Sequence, residues 1–260
     1  MPLRVGFDLD GTVADMFSAL RSEAVKLFGE EVLRQVPPPA AGSREPAAKR
    51  REPAAEGAAQ ALAKKAADES AKPEDDQSPV MQELHLTSRQ QSQLWDHVKK
   101  VENFWTTLPE LEPGIISRIA RTAQDRRWEV IFLTTRPATA GDLVQLQSQQ
   151  WLSAHGFQFP SVFVVHRSRG RIADALHLDA FVDDRPENCL DIAVESKAKV
   201  ILVWHGDSKD VPAGAKRLGV WPVSTISEAL GLLEQLDDIR NQPGLMRTIK
   251  RAFSGASSDI

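Results

Sequence analysis

The sequence predicts an α/β fold, a doubly wound parallel sheet with a small helical cap inserted after the first strand. Three observations carry this expectation. Apolar runs of strand length recur along the chain, they show little polar alternation, and helical segments separate them. Continuous apolar runs suit strands buried on both faces, as in a parallel sheet covered by helices. Strand alternating with helix at this spacing is the pattern of a doubly wound sheet.

Residues 3–8 form the first expected strand, and 129–134, 161–165, 180–183 and 199–204 the others, all rich in Val, Ile, Leu and Phe. Between them, 139–155, 170–176 and 187–196 read as crossover helices. Residues 13–36 read as a long helix, because Val13, Met16, Phe17, Leu20, Leu27 and Phe28 fall near a 3.6 period. Thr225 and Glu228 have the spacing of a capping box before a helix over 229–236. The insert after the first strand also holds 81–108, helical in pattern and carrying Trp95, Phe104 and Trp105. An insert there would sit above the C-terminal ends of the strands, where ligands of open α/β sheets bind. The expected organisation is an α/β core at 1–12 and 109–240, a helical cap at 13–36 and 80–108, and a tail at 241–260.

Residues 37–79 stand apart. Those 43 residues include 13 Ala, 7 Pro and 15 charged residues, with Leu62 the only large apolar side chain. Such a segment buries too little surface to offset the entropy of ordering it, so a disordered linker is expected. A partner-binding arm built on Lys49, Arg50 and Arg51 is the functional alternative. The stretch 245–253 is basic and amphipathic, and is expected to pack on the edge of the core rather than on a membrane surface.

Composition narrows the function. The balance of 32 Lys+Arg against 36 Asp+Glu gives a net charge of -4, which argues against a binder of nucleic-acid polymers. It leaves a small anionic substrate open, since a site can be locally positive inside an acidic protein. One cysteine, Cys189, excludes an intrachain disulfide and a Cys-rich zinc site, and suits a reducing compartment. No run of 18 apolar residues predicts a membrane span, and the N-terminal residues lack the apolar core of a secretory signal. A cytoplasmic location is therefore expected. The six histidines (85, 97, 155, 166, 177 and 205) show no metal-ligand spacing, and Gln145, Gln147, Gln149 and Gln150 read as the polar face of a helix.

The strongest chemical signal lies at strand ends. Asp8 and Asp10, two apart on an extended segment, point to the same face, and Gly11 then allows a sharp turn. Thr12 is placed to cap the following helix, with Asp15 three residues on. Asp183 and Asp184 end another apolar strand, with Asn188 shortly after. Parallel strands bring both pairs to one edge of the sheet. Buried carboxylates are costly unless something pairs with them. Oxygen donors without His or Cys suit Mg²⁺ rather than zinc.

These residues resemble the motifs of the haloacid dehalogenase (HAD) superfamily of phosphohydrolases. Asp8-Leu9-Asp10-Gly11-Thr12 is similar to its DxDGT motif, residues 130–134 to its apolar strand ending in Thr or Ser, and 183–188 to its DDxxxN motif. The superfamily's third motif is a basic residue, usually Lys, before a short helix. Arg169 followed by Gly170 takes that place here, with Arg167 and Arg171 as near alternatives. Residues 133–137, Trp151-Leu152 and His155-Gly156 look like the 5′(3′)-deoxyribonucleotidase-type group. The resemblance covers about residues 3–35 and 104–204.

The resemblance implies a Mg²⁺-dependent phosphomonoester hydrolase. Asp8 would be the nucleophile, forming an aspartyl-phosphate, and Asp10 the general acid and base. Two carboxylates so close are expected to raise one of the pair, which would help Asp10 hold a proton near neutrality. The metal would take Asp8, the backbone carbonyl of Asp10 and Asp184, with Asp183 supporting the site and Asn188 behind it. Thr134 and Arg169 would hold the phosphoryl oxygens. Thr135 and Arg136 are expected substrate contacts, although Arg136 before Pro137 is equally a turn residue. Phe104 and Trp105 could stack a nucleobase or simply pack the cap. Other small phosphomonoesters remain open as substrates, as does a catalytically weak scaffold. A phosphoaspartate receiver module fits less well, since its phosphorylated Asp follows a central strand in a shorter chain.

Overall fold

The computed structural model describes residues 2–31 and 84–241. The expected linker at 37–79 and the stretch 245–253 lie outside the described residues. Six strands form one sheet: β1 (Arg4–Asp8), β2 (Glu129–Thr134), β3 (Ser161–Val164), β4 (Ala180–Asp183), β5 (Lys199–Val203) and β6 (Trp221–Val223). Their order is β3-β2-β1-β4-β5-β6, and every neighbouring pair is parallel. The sheet grows outward in one direction from β1 and in the other from β4. The boundary between those two strands is therefore its topological switch point.

Alternation within the strands explains the unbroken apolar runs. Val5, Phe7, Phe132, Val182, Ile201 and Val203 belong to one apolar cluster, while Leu133, Phe181, Val200 and Leu202 belong to another. Successive side chains point to opposite faces, and helices cover both. The first face carries α1 (Met16–Phe28), α2 (Ser88–Val98), α3 (Ile115–Arg126) and α8 (Ile226–Asn241). The second carries α5 (Arg169–Ala175), α6 (Pro186–Glu195) and α7 (Ala213–Arg217), and α4 (Val144–Ala154) runs beside β3. Gly6 permits the close packing of β1, since a Cβ there would collide with the Phe181 ring.

Several boundaries differ from expectation for local reasons. The first helix begins at Met16, not Val13, because 10–14 close a turn in which the amides of Val13 and Ala14 donate to the Leu9 carbonyl. Asp15 caps it by accepting from the Ser18 amide at 2.9 Å. The segment 81–108 contains α2 and a short 3-10 turn, Phe104–Thr106. Thr87 and Gln90 form a reciprocal capping box on α2. Helix α3 had no sequence counterpart; it buries Ile115, Ile116, Ile119 and Ala123, and Glu110 caps its start through the Gly114 and Ile116 amides. The edge strand β6 was also missed, being three residues long and containing Pro222.

The glutamines of α4 do more than wet a helix face. Gln147 is buried, accepting from the Trp105 amide and donating to Thr139 Oγ1 and the Asp142 carbonyl. Gln145 and Gln149 donate to the carbonyls of Val162 and Pro160 along the outer side of β3.

Helices α1 and α2 are joined by Glu23, which is buried and accepts from Lys26 Nζ at 2.6 Å and faces His97 Nε2 at 2.8 Å. Burial alone would raise the Glu23 carboxyl, but the hydrogen bonds from Lys26 and His97 outweigh it and hold the group below its usual range. With the folded value below the unfolded one, the stabilisation is present above about pH 4.3 and is lost as pH falls through the folded value. Glu23→Gln should lower Tm at pH 7 by about 2–4 °C, equivalent to about 1 kcal/mol. Thermal melts should show that gap closing as the pH is taken below about 4.

Candidate active site

The parallel register places the acids. Asp8 ends β1 opposite Leu133, so Thr134 lies one residue beyond it on β2. Phe7 pairs with Val182, which sets Asp8 beside Asp183 across the switch point. Ligand oxygens of Asp8, Asp183 and Asp184 all lie within 4.8 Å of one another. Asp8 and Asp183 are buried, and Asp184 is half-buried.

One guanidinium sits between them. Arg169 Nη1 donates to Asp8 Oδ1 and to Asp183 Oδ2, each at 2.6 Å, and Nη2 donates to Thr135 Oγ1 at 2.9 Å. Its neighbours point elsewhere: Arg167 is exposed, and Arg171 faces Glu195 at 3.9 Å on the surface. Asp183 also accepts from the Arg185 amide and from Asn188 Nδ2. Thr12, expected as a helix cap, instead donates to Asp184 Oδ1 at 2.9 Å. Gly11 has a φ of +82°, and a Cβ there would strike the Asp184 carboxylate, so glycine is required on both counts. His205 Nε2 lies 3.0 Å from the Gly11 carbonyl and ties the β5 loop to this turn.

The charges are not balanced by Arg169 alone. Burial, first of all, and then the neighbouring acids Asp183, Asp184 and Asp10 push Asp8 well above the usual carboxylate range, against the pull of Arg169. Asp184 is pushed up to about 7, by burial first and Asp183 second, with the Thr12 hydrogen bond acting the other way. The expectation for the β1 pair fell on Asp10, but the acid that burial raises is Asp8. Cys189, under the site with Sγ 3.8 Å from the Asp183 carbonyl, is raised by burial and then by these acids, and so remains a thiol.

Asp10 leaves this cluster. Its carboxylate is held by Arg136, whose Nε donates to Oδ1 at 3.0 Å and Oδ2 at 2.8 Å and whose Nη2 donates to Oδ1 at 2.7 Å. Thr134 Oγ1 donates to Asp10 Oδ2 at 3.2 Å. Of the residues expected at the metal, Asp8, Asp183 and Asp184 bring their carboxylates together; Asp10 was expected there through its backbone carbonyl, and its side chain pairs with Arg136. Among the expected substrate contacts, Thr135 lies at Arg169, but the Arg136 side chain is 0% exposed. Phe104 and Trp105 are also buried, with Trp105 Nε1 donating to the Pro137 carbonyl and the Arg136 guanidinium 4.9 Å from its ring centroid. Their packing leaves no ring face for a substrate base.

Asp191 was not singled out in the sequence. It accepts from Ser168 Oγ and from the Gly170 amide at 2.8 Å, and so fixes the start of α5 on either side of Arg169. Its position three residues after Asn188, on the same helix face, was the available signal.

No protein-family model matches the chain, and neither does any curated protein. Solved structures do. A haloacid dehalogenase-like family hydrolase from Xanthomonas campestris shares 18% identity, covering 91% of this chain and 96% of its own, with a TM-score of 0.44. A haloacid dehalogenase-like hydrolase from Streptococcus pneumoniae shares 12% identity over 89% of this chain and 98% of its own, with a TM-score of 0.45. A dehalogenase solved as an intermediate complex shares 12% identity over 89% and 96%, with a TM-score of 0.48. These structural neighbours are HAD-like hydrolases.

Replacing Asp191 by Ala would leave the Gly170 amide and Ser168 hydroxyl without their acceptor. Chemical denaturation of Asp191→Ala should show a loss of about 1–3 kcal/mol, the cost of orphaning buried donors.

Proposed function

We propose that the chain is a HAD-type hydrolase of small phosphomonoesters that uses Mg²⁺ and an aspartyl-phosphate on Asp8. The observation that carries this reading is the meeting of Asp8, Asp183 and Asp184 at the switch point with Arg169 against Asp8. Three converging carboxylates, two of them raised above the usual carboxylate range, suit a hard divalent cation. Asp8 and Asp184 would hold Mg²⁺, supported by Asp183. Bound there, the metal supplies positive charge that lets an anionic nucleophile meet an anionic phosphate.

The chain's own groups divide the remaining work. An Asp8 carboxylate oxygen attacks phosphorus, the bond to the ester oxygen breaks, and Asp10 gives that oxygen its proton. Asp10 then takes a proton from water, whose oxygen attacks the same phosphorus and returns Asp8 as a carboxylate while phosphate departs. Arg169 and the hydroxyls of Thr134 and Thr135 line the cleft where phosphoryl charge develops. The nucleotide preference implied by the sequence resemblance draws no support from Phe104 and Trp105, so the proposal stops at small phosphomonoesters.

Purified full-length chain should release phosphate from a phosphomonoester panel with MgCl₂ and lose that activity in EDTA. Asp8→Asn should reduce kcat by ~10⁴-fold or more, the scale seen on removing a nucleophile. Hydrolysis by Asp8→Asn at the parent rate would overturn the mechanism. Saturating Mg²⁺ should also raise Tm, by about 2.7 kcal/mol of added stability at a hundred times Kd. Asp184→Asn should abolish that rise in differential scanning fluorimetry.

A further inference from the structure

We infer that Arg136 is a positioning residue that acts through Asp10, and that it belongs to a buried support built from Trp105, Trp151 and Ser148. The inference rests on the phosphomonoesterase reading above and adds to it a residue that never touches substrate.

Arg136 has no route to a ligand, because its side chain is 0% exposed. Burying a guanidinium is costly, and a buried ion pair is by itself weak evidence of added stability. What this one does is geometric. Nε and Nη2 make a fork on the Asp10 carboxylate, which fixes the plane of the carboxylate as well as its position. The third nitrogen, Nη1, donates to Ser148 Oγ at 2.9 Å, and the Ser148 hydroxyl in turn donates to the Val144 carbonyl at 2.8 Å. The guanidinium carbon lies 4.9 Å from the Trp105 ring centroid and 5.9 Å from that of Trp151, so two indoles replace part of its lost hydration.

The support is itself immobilised. Trp105 Nε1 donates to the Pro137 carbonyl at 2.9 Å, and Trp151 Nε1 donates to the Leu108 carbonyl at 2.7 Å. Gln147 accepts from the Trp105 amide at 3.1 Å. Asp10 sits on a turn after β1 with no regular secondary structure of its own, and a loop residue needs such external fixing to serve as a proton-transfer group. Lysine could supply the charge but not the fork.

The test is a double-mutant cycle on the full-length chain with p-nitrophenyl phosphate and Mg²⁺. Arg136→Lys should lower kcat about 100-fold, within the range for losing proper acid–base assistance, while KM stays within about twofold. In an Asp10→Asn background the same substitution should cost less than about twofold, since the group it positions is already gone. Ser148→Ala, which removes only the Nη1 anchor, should give the same coupling pattern with a smaller loss, about tenfold. It decides the matter if Arg136→Lys fails to fold in thermal denaturation. A full 100-fold loss for Arg136→Lys on top of Asp10→Asn, or a loss confined to KM, would overturn the positioning role alone. A parent chain that releases no phosphate from any ester would overturn this inference together with the phosphomonoesterase reading.

Discussion

Charge crowding at one point of the sheet governs this molecule. Three carboxylates, those of Asp8, Asp183 and Asp184, meet near the C-terminal ends of β1 and β4 around Arg169, with the Asp10–Arg136 pair beside them. Each arginine resolves part of the problem. Arg136 draws Asp10 aside into a pair of its own, and Arg169 bridges Asp8 and Asp183. Two more carboxylates than guanidiniums remain, and that surplus adds to burial, the larger cause, in displacing Asp8 and Asp184 upward. A cation or a proton shared among them would offset that surplus.

The rest of the fold serves this arrangement. A parallel sheet buried on both faces sets its strand ends in one fixed register. Register then sets Asp8, Asp183 and Thr134 side by side without any special local sequence. Small residues and capping side chains finish the placement: Gly11 beside Asp184, Thr12 on the same carboxylate, and Asp191 at the base of Arg169.

The central strands were legible because burial on both faces leaves a continuous apolar run, and five of the six strands fall where those runs lie. Strand β6 lies at the edge, half exposed and interrupted by Pro222, so it leaves no such run. Helix α3 did carry a helical signal in Ile115, Ile116, Ile119 and Ala123, diluted by the arginines and glutamine between them. At the site, Asp8, Asp183, Asp184 and Arg169 could be picked out because each sits beside turn or helix-start residues of recognisable pattern. The partnership of Arg136 with Asp10 could not, since 126 residues separate them and a local pattern carries no record of a distant partner. Phe104 and Trp105 stayed open for a related reason: an aromatic pair looks the same in sequence whether it lines a cleft or fills a core.

The side-chain amides on the outer side of β3 have a consequence for how the chain meets other chains. Phe159 and Phe163 are exposed beside that edge, and an open parallel edge flanked by aromatic surface invites an additional strand. Gln145 and Gln149 already occupy the Val162 and Pro160 carbonyls, so an incoming backbone finds acceptors taken where it would need them free. At the opposite edge, Pro222 offers no N–H to a newcomer. Among the described residues, two glutamines and one proline thus remove backbone groups that a further strand would use, which works against templated growth at these edges.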